Sequence, residues 1–289
     1  MSLVLCKLPK AGLGNQLFPL MKAYAFAHLN NLPLIITDYH QIKLGPYIRG
    51  DKSKRKYNKN FIFQKNILQD QINKIKLFPF RKRQTQNEPE VVFINFNESE
   101  NKLFTFSEIP HWTNYFDQLK ANRKLVLQLF WKLISPGILK NLSECETPII
   151  GVHIRKGDFR KLEEGEVFSK VGAVRTPENY FIDIISDLRK IHKVDLPVSI
   201  FTDGHKEEFG KLLSLKNIKI VEGNKDLVDL LLLSKSKIIV CSAGSTFSYW
   251  AGFLSDSPII MHPDHIHSRL RSEEQLFEGT IQEYMKEFD

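Results

Sequence analysis

The sequence predicts an α/β fold built on parallel sheets, and three observations support this prediction. In the second half of the chain, short apolar runs rich in β-branched residues alternate with helical segments of about 10 to 15 residues, which is typical of a parallel sheet covered on both faces. Residues 2–37 show the same pattern once, as a strand, a helix and a strand. A length of 289 residues is enough for two compact domains, although one large domain is also compatible with it.

The first domain is predicted to span residues 1–140. It begins with a strand at SLVLCKL, which leads through the stretch KAGLGNQL into a helix and then a strand at PLIIT. A further strand is predicted at EVVFINF and a long amphipathic helix at TNYFDQLKANRKLVLQLFWKL. The intervening segment RGDKSKRKYNKN contains six basic residues and one acidic residue. A solvated loop is its simplest interpretation, and a patch for a membrane or a substrate is the alternative.

The second domain is predicted to span residues 141–270. Strands are expected at IIGVHI, PVSIFTD, IKIVEG, KIIVCS and PIIMH, and helices at TPENYFIDIISDLRKIH, KEEFGKLLSL, KDLVDLLLLSK and TFSYWAGFLS. In the first of these helices, Thr176 is the expected N-cap and Pro177 the first helical residue. Residues 271–289 are expected to add a C-terminal helix, over about 272–287, that packs on one of the two domains.

Composition limits the partners and the setting of the chain. The 41 basic and 33 acidic residues give a net charge of +8, which favours anionic partners such as nucleotides, nucleic acid or an anionic membrane. Cys6, Cys145 and Cys241 are far apart and odd in number, so a disulfide framework or a zinc site is not expected. No apolar run reaches the roughly 18 residues of a membrane span, and no signal peptide is recognisable. We therefore expect a cytoplasmic protein that is soluble or at most peripheral to a membrane.

Two parallel-sheet domains are expected to bind ligand in a cleft beyond the carboxyl ends of their strands. The first loop at such an end contains Gly12 and Gly14, which let the backbone approach a ligand closely, followed by Asn15 at the start of a helix. It is not a dinucleotide fingerprint, because Leu17 stands where the third glycine would be. The alternative is a tight turn in which Asn15 caps the helix.

A second loop, GVHIRKGDF, turns basic where a predicted strand ends. It carries His153, Arg155 and Asp158. Arg155 offers a planar fork of donors that fits a phosphate, whereas Lys156 is a point charge. The alternative is a surface pair in which Arg155 and Asp158 close the loop.

A third loop, CSAGSTFSYWAGFLS, places small hydroxylated residues where a strand meets a helix, among them Ser242, Ser245 and Thr246. Such residues at a helix N-terminus supply donors to an anion. The alternative is ordinary capping by Ser245 or Thr246, with Tyr249 and Trp250 packed in the core.

Together the three loops resemble motifs of the α-1,2-fucosyltransferases and of the related α-1,6- and protein O-fucosyltransferases. That superfamily has a G-L-G-N-Q type motif, an H-x-R-R-x-D motif and a Ser-Ser-Phe-Ser-Trp-Trp-Gly type motif, in this order. They correspond to residues 12–16 (GLGNQ), 153–158 (HIRKGD) and 245–251 (STFSYWA). In addition, FTDG at 201–204 is similar to a Phe-Ser-Asp-Asp segment of the family.

The resemblance implies a GT-B fold, with two Rossmann-like domains facing across a cleft. It implies an inverting transfer of fucose from GDP-fucose to a glycan hydroxyl, and the α-1,2 members point to O-2 of a terminal galactose. No metal or other cofactor is implied, and the sequence itself contains no Asp-x-Asp pair. The stretch HPDHIHSR lacks defined metal-ligand spacing, so a metal site there is not expected either.

The resemblance also assigns roles to residues. Arg155 is expected to stabilise the diphosphate as the glycosidic bond breaks, Asp158 to act as base or to orient Arg155, and Asn15 to approach the reacting sugar. The residues expected to bind the donor are Gly12, Gly14, His153, Asp203, Ser245, Thr246 and Phe247. His153 and Asp203 are placed near the guanosine. Lys156, Thr246 and Tyr249 depart from the family motifs, which is typical of divergent bacterial members.

Other functions remain as alternatives. One is a glycosyltransferase of the same fold with another nucleotide sugar such as GDP-mannose, and another is a relative that binds the sugar nucleotide without catalysis. A nucleic-acid-binding protein would rest on the basic segment alone, since no known nucleic-acid module is recognisable. The expected partners are GDP-fucose, a galactose-containing oligosaccharide or lipid-linked glycan, and an anionic membrane contacted by the basic segment.

Overall fold

The computed structural model describes residues 2–41, 45–48, 57, 59–64, 67–80, 84–95, 101–265 and 268–288. Most of the segment RGDKSKRKYNKN therefore lies outside the described residues. The chain packs as two compact units, one formed by Met1–Lys43 and Arg55–Leu139 and the other by Leu44–Lys54 and Lys140–Asp289. Each unit contains a parallel sheet, which confirms the predicted α/β class.

The described strands are β1 (Leu3–Lys7), β2 (Leu34–Thr37), β3 (Gln84–Asn87), β4 (Lys102–Phe106), β5 (Ile150–Ile154), β6 (Val198–Thr202), β7 (Ile218–Ile220), β8 (Ile238–Val240), β9 (Ile259–Ile260) and β10 (Glu278–Gly279). The described helices are α1 (Leu13–Leu29), α2 (Gly45–Ile48), α3 (Ile67–Lys76), α4 (Asp117–Lys120), α5 (Arg123–Leu133), α6 (Pro136–Ser143), α7 (Glu178–His192), α8 (Gly210–Leu213), α9 (Asp226–Ser234), α10 (Thr246–Leu254) and α11 (Ile281–Met285). None of these described helices combines the length and the apolarity needed to cross a membrane.

The sheet of the first unit has the strand order β2-β1-β4-β3, and its described pairings are parallel. Helix α1 is buried along most of its length against this sheet, with Phe26 packed on Phe104 and Phe106. Lys22 on the same helix is also buried, and its charge is compensated by an ion pair with Glu88. The first of the three motif loops follows β1 and leads directly into this helix.

The strand predicted at EVVFINF does not form in its described part, residues 90–95. The backbone groups of Val91, Val92 and Ile94 instead hydrogen-bond to the side-chain amides of Asn30 and Asn122. Because these amides satisfy the backbone, the segment does not need a neighbouring strand. The strands that complete the sheet are β3, which is polar and exposed, and β4, and neither was predicted.

The long helix predicted over residues 113–133 is also wrong in detail. A 3-10 turn at Trp112–Asn114 and the short α4 precede α5, which begins only at Arg123. The break falls at Asn122, whose side chain donates to the Val91 carbonyl instead of pointing to solvent.

In the second unit six described strands form a parallel sheet in the order β10-β9-β8-β5-β6-β7. Counted from β5 along the chain this is the 3-2-1-4-5-6 order of doubly wound dinucleotide-binding folds, read from the other edge. The order reverses between β5 and β8, and ligands of such sheets bind beyond the carboxyl ends of the strands at this point. The five strands predicted in this half are confirmed.

Several helix boundaries in the second unit differ from the predictions. Helix α7 begins at Glu178 after Pro177, and the Thr176 hydroxyl does not cap it but bonds elsewhere. The segment KEEFGKLLSL forms a 3-10 turn followed by the short α8. The C-terminal helix is confined to α11, because residues 278–279 form the edge strand β10.

The C-terminal segment packs on the second unit. Ile281 and Tyr284 of α11 join the core that α7 and the sheet form. Ahead of them, the guanidinium of Arg271 is fully buried, where it is paired with Glu278 and donates to backbone carbonyls. A buried arginine satisfied in this way fixes the path of the chain.

Candidate functional site

Arg155 lies directly after β5 and is held by two carboxylates. Its Nη2 donates to Asp158 Oδ1 at 2.5 Å, and its Nη1 lies 2.6 Å from Asp203 Oδ2. The guanidinium carbon also lies 5.6 Å from the centre of the Phe159 ring. The side chain is only 18% exposed. The Arg155–Asp158 pair that was the surface alternative therefore exists, but Arg155 is largely buried and has a further partner.

Asp203 fixes the shape of this loop. Its Oδ1 accepts hydrogen bonds from the backbone N–H groups of Lys156 (2.8 Å) and Gly157 (3.2 Å), while its Oδ2 faces Arg155. Asp203 follows β6, which pairs with β5 so that Ile154 lies opposite Thr202. The carboxylate thus joins the ends of two neighbouring strands and orients the arginine between them.

A pair of buried hydroxyls joins β5 to β8 on the other side. Ser242 Oγ accepts from the Arg155 N–H at 3.2 Å and shares a hydrogen bond of 3.2 Å with Thr176 Oγ1. Thr176 Oγ1 in turn accepts from the Ala243 N–H at 3.0 Å. The sequence contains no signal for this role of Thr176, because a threonine before a proline is also an ordinary helix-start pattern.

The turn between β8 and α10 depends on Tyr249. Gly244 has a φ of +67°, a conformation that residues with a side chain rarely adopt, and its N–H donates to the Tyr249 hydroxyl at 2.8 Å. Tyr249 and Trp250 are buried, as the packing alternative expected. However, the hydroxyl of Tyr249 also accepts a hydrogen bond from the loop. The tryptophan at this position of the related motif has no hydroxyl that could accept it.

Helix α10 begins without a capping hydrogen bond from the side chain at its N-cap position. Ser245 stands at the capping position without a capping hydrogen bond, and its N–H donates to the Ser242 carbonyl at 3.2 Å. Capping by Ser245 is therefore wrong for this structure, and so is capping by Thr246, which is the first residue of α10. The first turn of a helix presents N–H groups and a positive dipole end, which suits an anion.

His153 lies within β5 and is neutral. Burial, together with the positive charge of Arg155, lowers the pKa of His153 to about 3. Its ring stacks on Phe247 with 4.8 Å between ring centres, and its buried Nδ1 has no hydrogen-bond partner within the described part of the chain. The sequence motifs placed both residues at the donor, and the structure brings them into contact.

The side chain of Lys156 packs against Phe209 and Gly204. Its ammonium lies 5.1 Å from the centre of the Phe209 ring, and its stem packs beneath Gly204. Burial lowers the pKa of this amine, against the opposing effect of Glu208. At the second arginine position of the motif, the lysine therefore contributes to packing.

In the first unit, neutral hydrogen bonds hold the loop after β1. The Leu13 N–H donates to the Tyr57 hydroxyl at 2.9 Å, and Gln16 Nε2 donates to the Pro9 carbonyl at 3.0 Å. Gly12 stands at the N-cap position of α1, so Gly14 and Asn15 lie in the first turn and Asn15 does not cap the helix. This loop contributes no charged side chain of its own after Lys10.

The structure thus brings together the predicted residues of the second unit: His153, Arg155, Asp158, Asp203, Ser245, Thr246 and Phe247. Gly12, Gly14 and Asn15 share a loop in the first unit. Within the described residues no group of three or more His, Cys, Asp and Glu is arranged to hold a metal. In the HPDHIHSR stretch, His262 and His265 each pack 4.8 Å from the Phe168 ring centre, and His267 lies outside the described residues.

Known proteins resemble this chain in both sequence and fold. Residues 4–278 match the family model described as "Glycosyl transferase family 11". An "Alpha-1,2-colitosyltransferase" of Escherichia coli is 28% identical over an alignment of 271 residues that covers 89% of each chain. The crystal structure of the fucosyltransferase NodZ from Bradyrhizobium has a TM-score of 0.52 at 14% identity, covering 92% of this chain and 97% of that one. POFUT1 in complex with GDP has a TM-score of 0.51 at 13% identity, with 90% and 98% covered.

At these identities the two crystal structures show the fold alone, which is of the GT-B type predicted from the motifs. The family match covers almost the whole chain and includes all three loops. The chain is a glycosyltransferase and belongs to glycosyl transferase family 11.

Proposed function

We propose that this glycosyltransferase transfers fucose from GDP-fucose to a glycan hydroxyl, O-2 of a terminal galactose, with inversion at the sugar carbon. The observation that carries the proposal is the position of Arg155. Its backbone N–H donates to Ser242, which lies between β8 and α10, at the point where the strand order of the second unit reverses, and its guanidinium is paired with Asp158 and Asp203. A diphosphate is the ligand chemistry that this combination favours.

The reaction exchanges one bond for another. The acceptor oxygen bonds to the sugar carbon while the bond from that carbon to the diphosphate oxygen breaks, and its electron pair leaves with GDP. We assign the stabilisation of this negative charge to Arg155, with the N-terminus of α10 and the hydroxyls of Ser245 and Thr246 assisting. Because a fixed positive charge meets the leaving group, we propose that no metal is needed.

Asp158 is the carboxylate that we assign to the acceptor proton or to the orientation of Arg155. Its 2.5 Å contact with Arg155 supports the second role, and its partial exposure leaves the first one chemically reasonable.

For the guanosine we propose the neutral ring of His153, the ring of Phe247 that stacks on it, and the carboxylate of Asp203. The unpartnered Nδ1 of His153 supports this assignment, since a buried polar atom without a partner is costly unless a ligand completes it. POFUT1 in complex with GDP and NodZ soaked with GDP-fucose share the fold, which supports a guanosine donor.

On the acceptor side we place Gly12, Gly14 and Asn15. The neutral hydrogen bonds of their loop suit an uncharged sugar better than a phosphate. We propose a galactose-terminated oligosaccharide or a lipid-linked glycan as acceptor, met at the cytoplasmic face of a membrane. Peripheral contact with anionic lipids would bring the enzyme to the second kind of acceptor.

A second candidate donor follows from one observation. The E. coli relative is named as an α-1,2-colitosyltransferase, so its name specifies the same linkage with another sugar. We therefore keep colitose, carried by the same nucleotide, as the alternative transferred sugar. The nucleotide assignment does not depend on this choice.

The test is a transfer assay with galactose-terminated acceptors and GDP-fucose, GDP-colitose or GDP-mannose, with EDTA present. Product from GDP-fucose, cleaved by an α-1,2-specific fucosidase, is the expected result. Transfer of colitose alone would replace the sugar and keep the site, while transfer of mannose alone would contradict both donor assignments. An absolute requirement for a divalent metal would contradict the metal-free assignment.

A further inference from the structure

Helix α3 in the first unit carries its apolar residues on the outside. Leu68 and Ile75 are 67% and 71% exposed, and Phe78 in the following 3-10 turn is 68% exposed. Leu68 and Ile75 are seven residues apart, which is two helical turns, so they lie on one face. We call Leu68, Ile75 and Phe78 the apolar ridge.

The opposite face of α3 is the one that packs on the protein, and it is mostly polar. Asp70 accepts from the Asp38 N–H at 2.8 Å, Asn73 donates to the Ile36 carbonyl at 2.9 Å, and Lys74 pairs with Asp38. Leu77 completes this face by packing near the sheet. The helix is thus amphipathic with its apolar side turned away from the core, which folding of this unit alone does not explain.

The charge of the chain is concentrated in the same stretch of sequence. Residues 49–83 contain twelve basic and two acidic residues, a net charge of +10, whereas the whole chain carries +8. The rest of the protein therefore carries a small net negative charge. Within this stretch Lys76 is an exposed residue of α3. Exposed leucine, isoleucine and phenylalanine in a stretch of sequence rich in lysine and arginine are typical of a segment that lies in the interface of an anionic bilayer.

We propose that the apolar ridge is the membrane-docking surface of the protein, and the net charge of +10 in residues 49–83 favours an anionic bilayer as its partner. Nucleic acid would explain the charge but not three exposed apolar side chains, and a second copy of the chain would explain the ridge but not the charge. The inference rests on the membrane contact of the proposed function and assigns a surface of the protein to that contact. It does not depend on the donor or the acceptor.

The test is flotation of the full-length protein with vesicles of phosphatidylcholine alone and of phosphatidylcholine mixed with phosphatidylglycerol. Wild type is expected to bind the mixed vesicles and to release them as salt rises, because screening weakens attraction between charges. The triple variant Leu68→Asn, Ile75→Asn, Phe78→Asn should bind at least about tenfold less, since each exposed apolar side chain gains free energy in the interface.

The matched control is Leu139→Asn, Leu162→Asn, Val194→Asn, which removes three exposed apolar side chains elsewhere in the chain. It should bind vesicles like the wild type. Equal vesicle binding by the ridge variant and the wild type would overturn the proposal, as would absence of vesicle binding by the wild type. A wild type that self-associates through the ridge and ignores vesicles would assign the surface to a second copy, and preferential binding of an oligonucleotide would assign it to nucleic acid.

These measurements use neither sugar nucleotide nor acceptor, so their failure is separate from that of the transfer assay. Transfer to a water-soluble acceptor should be the same for the ridge variant and the wild type. A ridge variant that had lost this activity as well would show a folding defect, which circular dichroism and thermal unfolding of both triple variants detect directly. In that case the single substitutions Leu68→Asn and Ile75→Asn, each expected to weaken vesicle binding severalfold, decide the proposal.

Discussion

The loop after β1 and the loop after β5 occupy equivalent positions in two parallel sheets, but different chemical groups hold them in place. After β5, Arg155 is held between Asp158 and Asp203, and a network of charged and hydroxyl groups orients it. After β1, the chain is held by Tyr57 and Gln16 through neutral hydrogen bonds. This difference is the basis for our proposal that the loop after β5 binds a charged ligand and the loop after β1 an uncharged one.

Removing the charge after β5 should have the largest effect. Arg155→Ala is expected to lower kcat/KM for transfer by about 10² to 10³, the cost of deleting a donor that stabilises developing negative charge. Initial rates at subsaturating donor measure this. Arg160→Ala is the matched control, because the Arg160–Glu166 pair is exposed and should leave transfer nearly unchanged. Turnover of the Arg155 variant at the rate of the control would show that Arg155 does not stabilise the developing negative charge.

The hydroxyl pair behind Arg155 should matter next. Thr176→Val leaves the Ala243 N–H without its acceptor in a buried place, at a cost of about 1 to 3 kcal/mol in the free energy of unfolding. Thr176→Ser keeps the hydroxyl and should recover most of that loss. Urea unfolding of the three proteins measures the difference. Equal stability of the valine and serine variants would show that the hydrogen bond is not needed.

His153 should make the stability of the protein depend on pH. Its pKa is about 3 in the folded protein against an ordinary value of 6.5, so the unfolded chain binds more protons as the pH falls below 6.5, and folding loses stability down to about pH 3. Between pH 7 and pH 5 this loss is about 2 kcal/mol. His153→Gln should lose that much less over the same interval. Parallel pH profiles of the two proteins would contradict a buried, neutral histidine.

A substitution in the loop after β1 should affect activity more than stability, whereas the substitutions of Thr176 and His153 act on stability. Gly12 has a φ of −62°, and nothing lies within 4 Å of a Cβ built there. Because the added methyl group meets no neighbour, Gly12→Ala should change the free energy of unfolding by no more than about 1 kcal/mol, the cost of alanine at an N-cap position. If the loop approaches a sugar, the added methyl group raises KM for the acceptor. Unchanged KM values for both substrates would remove Gly12 from the site.

The sequence predicted some residues of the candidate site in the second unit and missed the contacts of others. The residues after β5 were predicted because a buried β-branched strand that ends in His-x-Arg-x-x-Asp is not explained by packing alone. The hydroxyl pair was missed, since Thr176 before a proline has the same pattern as a helix cap. Tyr249 was recognised only as a departure from a motif, and its hydrogen bond to Gly244 depends on a turn that no local pattern specifies.

The strands of the fold, too, were predicted only in part from the sequence. In the second unit the five strands from β5 to β9 were predicted, since most of them are apolar runs of the kind that burial in a parallel sheet requires. The short edge strand β10, Glu278–Gly279, has no such composition and was not predicted. In the first unit β3 is an exposed polar edge strand, so its sequence resembles a loop. The apolar segment EVVFINF resembles a strand, but the amides of Asn30 and Asn122 satisfy its backbone from distant parts of the chain. Partners so remote in sequence cannot be inferred from local composition.

We propose above all that the end of β5 holds the diphosphate of a guanosine nucleotide through Arg155. Calorimetric titration of the wild type and Arg155→Ala with GDP, UDP and ADP tests it most directly. We predict that the wild type binds GDP at least about tenfold more tightly than UDP or ADP, and that Arg155→Ala weakens GDP binding by about tenfold or more, the value of a charged hydrogen bond. Equal affinity of the variant and the wild type for GDP would contradict the claim.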